Sequence, residues 1–320
     1  MRTPLTERLG IEAPIVQGSL GPWTSVRLTA AICEAGALGT LGTALRSGDE
    51  VRDDIRLLRS LTDRPFAVNH TLRPFSEEAW RATLDERPPV VSLALGDPRP
   101  LIDDAHAAGC VFVHQVHTVE QAREAVEAGV DVVVAQGTEA GGFGGSVSAL
   151  PLVPQVVDVA GDVPVAAAGG IADGRGLAAA LVLGASGVAV GTRFLATEEA
   201  EIPEEWKQAI VAAPSEDAVK ATFAPLLLPP PAPGGYEEVS PRVLRTAFVD
   251  RWSSDPDGAA AERDALSHEL VAAIRGGRGH EYLPFTGQTA GLIDRVLPVG
   301  EVVRSLVADA EAALRRASGV

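Results

Sequence analysis

Eight short runs of β-branched or small apolar residues recur along this chain, and helix-like segments separate them. The runs are 14–18 (PIVQG), 38–42 (LGTLG), 66–70 (FAVNH), 90–95 (VVSLAL), 111–116 (VFVHQV), 132–137 (VVVAQG), 163–169 (VPVAAAG) and 187–192 (GVAVGT). Their starts lie roughly 20 to 30 residues apart, the length of a strand plus a returning helix, so consecutive strands are expected to be parallel. The intervening segments carry helical signals. In 118–128 (TVEQAREAVEA), Val119, Ala122, Ala125 and Val126 form one apolar stripe, Thr118 is a natural N-cap and Gly129 a natural terminator. Asp173 and Gly184 bracket 174–183 in the same way. Eight such units predict an α/β fold closed as a (β/α)8 TIM barrel. The competing open, doubly wound sheet lacks its glycine fingerprint after the first run.

The chain has 320 residues, so a barrel of this size leaves sequence over. We expect the barrel in residues 1–195, a lid or cap excursion in 196–285, and a C-terminal segment in 286–320 that returns to the barrel. Proline-rich residues 228–235 (LPPPAPGG) cannot form a central strand or an unbroken helix. Helical patterns flank them at 204–213 and 259–274, and a last helix is expected over 299–316.

Composition narrows the partners. Acidic side chains outnumber basic ones 43 to 27, for a net charge of −16. Such a surface repels phosphate backbones and anionic lipid heads, so neither nucleic acid nor membrane is an expected partner. The expected partners are a small-molecule substrate and O2, with a homodimer allowed. The first ten residues have no basic stretch leading into an apolar run, and a cytoplasmic location is expected. Cys33 and Cys110 lack metal-ligand spacing and read as buried thiols, so no metal site is expected.

A barrel gathers its ligands at the carboxyl ends of its strands. There the sequence places Gln17, Gly18 and Ser19; Asn69 and His70; His114 and Gln115; Gln136, Gly137, Thr138 and Glu139. These side chains suit hydrogen bonding to the edge of a planar heterocycle. The seventh and eighth runs close instead on Ala168-Gly169-Gly170 and Gly191-Thr192, and Asp173 to Gly176 opens a helix. Exposed amides, a hydroxyl and a helix N-terminus together make an expected phosphate site.

Several motifs in order now resemble one family. AQGTEAGGFGG (135–145), AAGGIADGRGLAAALVLGASGVAVGTRFLAT (167–197), PIVQG, FAVNH and GQTAGLI (287–293) resemble the nitronate monooxygenases, formerly called 2-nitropropane dioxygenases and related to FMN-dependent enoyl reductases. The resemblance spans nearly the whole chain. It implies an FMN-dependent oxidoreductase that oxidises alkyl nitronates with O2 to a carbonyl compound and nitrite. It also implies flavin contacts from Gln17, Gly18, Asn69, Gln115, Gln136, Gly141, Gly142, Gly169, Gly170, Gly191, Thr192 and Gln288. Trp23, Arg73, Phe75 and Phe143 are the expected substrate pocket.

One position departs from the family pattern. Relatives carry a histidine after the glycine pair, regarded as the base or a substrate contact, and here it is Phe143. A phenyl ring cannot take a proton, so deprotonation of neutral nitroalkanes is not expected, while oxidation of preformed nitronates survives. His70 and His114 are the remaining candidate catalytic residues. The alternative is an FMN reductase of enones, enoyl thioesters or quinones that uses NAD(P)H as reductant, with Phe143 stacking on the acceptor. His117 reads as a solvated or capping residue, and His106, His268 and His280 as surface groups. Glu139 is expected to hold its loop by accepting backbone N–H bonds.

Overall fold

The computed structural model describes residues 1–228, 236 and 239–318. Beyond Leu228, the proline-rich stretch therefore lies outside the described residues. Eight parallel strands form the barrel: β1 (Ile15–Gln17), β2 (Gly39–Gly42), β3 (Phe66–Thr71), β4 (Val90–Ala94), β5 (Val111–Val116), β6 (Val132–Gln136), and, after the short outlying strand β7 (Gly142–Gly144), β8 (Val165–Ala168) and β9 (Gly187–Val190). The hydrogen-bonded order runs β1-β9-β8-β6-β5-β4-β3-β2, and a parallel bridge between Val16 and Leu38 brings the two ends together. The eight expected runs are the eight barrel strands.

Each crossover is helical. The helices are α1 (Pro4–Leu9) at the entrance, then α2 (Val26–Glu34), α3 (Gly48–Leu61), α4 (Glu77–Glu86), α5 (Arg99–Ala107), α6 (Val119–Glu127), α7 (Ala149–Ala160), α8 (Gly174–Val182) and the short α9 (Thr192–Leu195). The anticipated caps are present: Thr118 accepts from the amide of Gln121, and Asp173 from those of Arg175 and Gly176.

Leu5, Leu9 and Ile11 plug one end of the barrel against Val16, Leu38, Val90 and Val132. Small residues, Ala67, Ala168 and Ala189, line the interior higher up. Where larger side chains would fill such an interior, these leave room for a ligand.

After α9 the chain makes α10 (Glu204–Ala212), β10 (Ala218–Lys220), β11 (Ser240–Leu244), α11 (Ala247–Ser254), α12 (Pro256–Ala261) and α13 (Arg263–Arg275), then returns in α14 (Val299–Ala317). A break at Glu262 divides the helix expected over 259–274. The cap has its own core, with Phe223, Val243, Trp252 and Leu270 buried together. Strands β10, β11 and β7 form an antiparallel sheet, so a loop leaving β6 pairs with the cap. The sequence pattern had not indicated this sheet, because its strands are only three to five residues long and lack clear alternation. No helix among the described residues is long and apolar enough to cross a membrane.

Candidate active site

The site follows from the strand pleat. Successive side chains on a strand point to opposite faces, so of two neighbouring polar residues only one can face the barrel interior. On β3 it is Asn69: its Oδ1 accepts from Ser19 Oγ at 2.6 Å and its Nδ2 donates to Ser92 Oγ at 2.9 Å. Ser92 pairs in register with Asn69. On β5 it is Gln115, whose Nε2 donates to Gln136 Oε1 at 3.2 Å. Gln17, on β1, is buried; its Oε1 accepts from the Thr40 amide at 2.9 Å, and its Nε2 has no hydrogen-bond partner.

These residues bound two adjoining spaces. The inner one, about 400 Å³, is lined by Gln17, Ser19, Asn69, Ser92 and Gln115 among others. The outer one, about 680 Å³, is lined by Gly18, Ser19, Trp23, Gln115, Gln136, Gly141, Gly142, Gly169, Gly170, Gly191, Thr192, Phe285 and Thr289, among others. Not one Asp, Glu, His, Lys, Arg, Cys or Tyr among the described residues lines either space.

At the ends of β8 and β9 the cavity wall offers backbone rather than charged side chains. Gly169 and Gly170 have φ of +92° and +76°, conformations that side-chain-bearing residues rarely adopt, and a Cβ at Gly170 would meet no protein atom nearer than 3.9 Å. The anticipated helix N-terminus is not available: Asp173 spends its own carboxylate on the first amides of α8 and on Arg175. Of the expected phosphate-site elements, the ends of β8 and β9 line the cavity, with Ala168, Gly169, Gly170, Gly191 and Thr192. Thr192 Oγ1 accepts from the Gly287 amide at 2.9 Å, tying that wall to the returning chain. Gly141 and Gly287 pass so closely that a Cβ on Gly141 would lie 2.7 Å from the Gly287 nitrogen. Gln288 itself is not among the lining residues; its amide donates to Glu139 O at 2.9 Å, and Thr289 faces the cavity. Glu139 accepts from the Ala149 amide at 3.0 Å and so holds its loop.

The two candidate histidines point the other way. His70 is 1% exposed, with Nδ1 3.2 Å from Thr43 Oγ1 and Nε2 3.0 Å from Thr83 Oγ1. His114 is fully buried, with Nε2 3.1 Å from Tyr236 Oη. Burial pushes both imidazoles down to about 3. They are neutral groups packed behind the barrel wall, and neither lines the cavity. His117 is not solvated as expected: it is 1% exposed, and burial pushes it down to about 4.

Phe143 sits on β7 opposite Pro241, edge-on to Phe285 at 5.6 Å, with the Arg73 guanidinium 5.7 Å from its ring centre. Arg73 also donates to the Pro225 carbonyl at 3.2 Å, joining barrel to cap. Trp23 packs edge-on against Trp206 and Phe285, 5.2 and 5.0 Å away. Phe75 packs instead on Trp80 at 6.2 Å and does not line the cavity. Sequence reasoning missed Ser92, Phe285, Thr289 and Lys220. Ser92 had a signal, a polar break inside an apolar run. Lys220 comes from the cap; its Nζ donates to the carbonyls of Gly144, Gly145 and Ser240 at 2.9, 3.3 and 3.0 Å, and burial pushes it down to about 8.

The donor set fits the FMN that the resemblance implies. A buried amide nitrogen without a partner, neutral amides and hydroxyls on the inward face, and a side-chain-free cradle suit a planar polar ring joined to a phosphate.

A family model described as nitronate monooxygenase matches residues 2–81 and 76–309 of the chain. The chain is 40% identical to (3aS,4S,5R,7aS)-5-hydroxy-7a-methyl-1-oxo-octahydro-1H-indene-4-carboxyl-CoA dehydrogenase of Rhodococcus jostii, over 97% of this chain and 96% of that one. Among solved structures, FabK from Thermotoga maritima superposes with a TM-score of 0.90 at 34% identity, covering 100% of this chain and 99% of that one. A nitroalkane oxidase from Streptomyces ansochromogenes does so with a TM-score of 0.83 at 30% identity, covering 98% and 99%.

Proposed function

This chain belongs to the nitronate monooxygenase family, and from that premise we propose that it is an FMN-dependent oxidoreductase that adds a hydride to a carbon–carbon double bond conjugated to the carbonyl of an acyl thioester. The observation that carries this reading is the neutral cavity: no ionisable side chain among the described residues lines it, and the resemblance places Phe143 where relatives carry a histidine. Chemistry that begins with a protein base is disfavoured there, since such a base typically contributes ~10² to 10⁴-fold. Hydride addition at the β-carbon needs no base, and the enolate it leaves takes its α-carbon proton from solvent water, since no acidic side chain lines the cavity. The likeness to a carboxyl-CoA dehydrogenase along the chain's length supports a thioester as substrate.

When bound, FMN supplies a two-electron couple that exchanges hydride. The chain's own residues do the rest. Gln115, Gln136 and the Ser19–Asn69–Ser92 chain orient the ring edge through neutral donors and acceptors. The amides at the ends of β8 and β9 hold the phosphate without a cation. Trp23 and Phe285 line the mouth and offer aromatic faces to an acceptor, while Phe143 stands behind Phe285, edge-on to it, and does not line the cavity.

Oxidation of nitronates is the second reading, favoured by the family match and by the same neutral cavity, since a nitronate arrives already deprotonated. Anaerobic mixing separates the two. We expect the bound flavin to be bleached by NADPH or NADH and reoxidised by a 2-enoyl-CoA. Bleaching by a nitronate but by neither nicotinamide, with nitrite formed on admitting O2, would overturn the first reading.

Phe143→His supplies a second expectation. The neighbours of Phe143 leave its ring half-buried, so an imidazole of smaller volume fits there. Activity on neutral nitroalkanes should rise about 10²-fold, with flavin content unchanged. No rise despite full flavin loading would show that a missing base is not what limits that substrate.

A further inference from the structure

A second concavity, an open groove of about 1200 Å³, lies beside the active-site cavity and shares Trp23 with it. One bank is barrel: Trp23, Arg27 on α2 and Arg46. The other is cap: Trp206 on α10, Arg275 at the end of α13, and His280. The cations are not equivalent. Arg46 is committed, with Nε 3.0 Å from Asp54 and NH2 donating to the Thr24 carbonyl at 2.6 Å. Arg27 and Arg275 are exposed and form no ion pair within 4.0 Å among the described residues, and His280 Nδ1 is buried without a partner. Two carboxylates also line the groove, Asp54, which is paired with Arg46, and Glu201, and Glu50 lies near Arg275.

In a chain with a net charge of −16, two exposed arginines without an ion pair among the described residues line one groove from separate elements. Multiply charged anions would collect there. Pro22, Pro203 and the half-buried Trp23 add an apolar floor suited to a purine. Resting on the thioester and nicotinamide reading above, we propose that this groove binds the adenosine-phosphate handle of the second substrate. Arg27 and Arg275 hold its phosphates, while the reacting end passes Trp23 into the cavity. Coenzyme A and a reduced nicotinamide dinucleotide both carry such a handle.

Calorimetric titration of the flavin-loaded protein with adenosine 3′,5′-bisphosphate, NAD+ and NADP+, none of which can reduce the flavin, tests this without requiring turnover. Binding of the bisphosphate assigns the groove to coenzyme A, and binding of a nicotinamide alone assigns it to the dinucleotide. In either case the double variant Arg27→Glu/Arg275→Glu should weaken binding about tenfold or more and flatten its salt dependence. Both arginines are exposed, so the variant should keep the melting temperature and flavin content of the parent. Unchanged affinity in the variant, or no binding of any of the three probes to the parent, overturns the proposal. Thioester turnover is scored separately, so loss of that reading alone would still leave nicotinamide binding in the groove observable.

Discussion

Gly191→Val is expected to empty the protein of flavin while leaving its fold intact. Gly191 has φ −109°, outside the left-handed region that favours glycine, and a Cβ there would meet only Leu20 Cδ2, at 3.6 Å. The polypeptide thus has room for the first atom of the new side chain. Yet Gly191 lines the cavity at the end of β9, and an isopropyl group would fill space we assign to the phosphate or its linker. We expect FMN affinity to fall at least about 100-fold, equivalent to about 2.7 kcal/mol, with the melting temperature of the flavin-free protein unchanged. Fluorescence titration with FMN and a thermal melt measure the two quantities. Undiminished FMN affinity in a folded variant would refute the assignment of the β8 and β9 ends as the phosphate cradle.

Acid should unfold this protein earlier than its carboxylates alone would require. His70, His114 and His117 are held by burial at about 3, 3 and 4, whereas an unfolded histidine titrates near 6.5. Above that value both states are neutral and the three residues contribute their full stability. As pH falls below it, the unfolded chain takes up protons that the folded chain refuses, and stability is lost until the folded values are reached. Each such proton costs about 1.4 kcal/mol per pH unit, so three cost about 4 kcal/mol per unit between roughly pH 6 and 4. Against a typical total of about 5 to 15 kcal/mol, that slope unfolds a domain within a few units. Urea titrations at pH 7, 6 and 5 should show the decline, and His70→Gln should remove about a third of the slope. Equal stability at pH 7 and 5 would contradict the neutral burial of these rings.

The same three histidines show where sequence reading succeeds and where it stops. The barrel was legible because eight apolar runs at a regular interval leave few other ways to bury them. The inward polar ring was half legible. Asn69 and His70, like His114 and Gln115, are adjacent on their strands, so the pleat admits one of each pair to the interior, and composition alone does not say which. Register decides: Asn69 pairs with Ser92 and hydrogen bonds to it, while His70 finds Thr83 on α4. Thr192 and the glycine pair at 169 and 170 were legible because cavity-lining backbone with positive φ leaves glycine in the sequence. Lys220, Phe285 and Tyr236 were not. They reach their places through the cap, and their positions depend on long-range packing that no local periodicity encodes.

The small sheet joining barrel and cap bears on how such enzymes diversify. Strand β7 is held by main-chain pairing, Gly142 with Arg242 and Gly144 with Ser240, so residue 143 is displayed by a frame indifferent to its side chain. Histidine or phenylalanine can stand there without altering the frame's hydrogen bonds. A single codon can therefore exchange an imidazole for a phenyl ring at this position, and the scaffold acts as a socket that holds either.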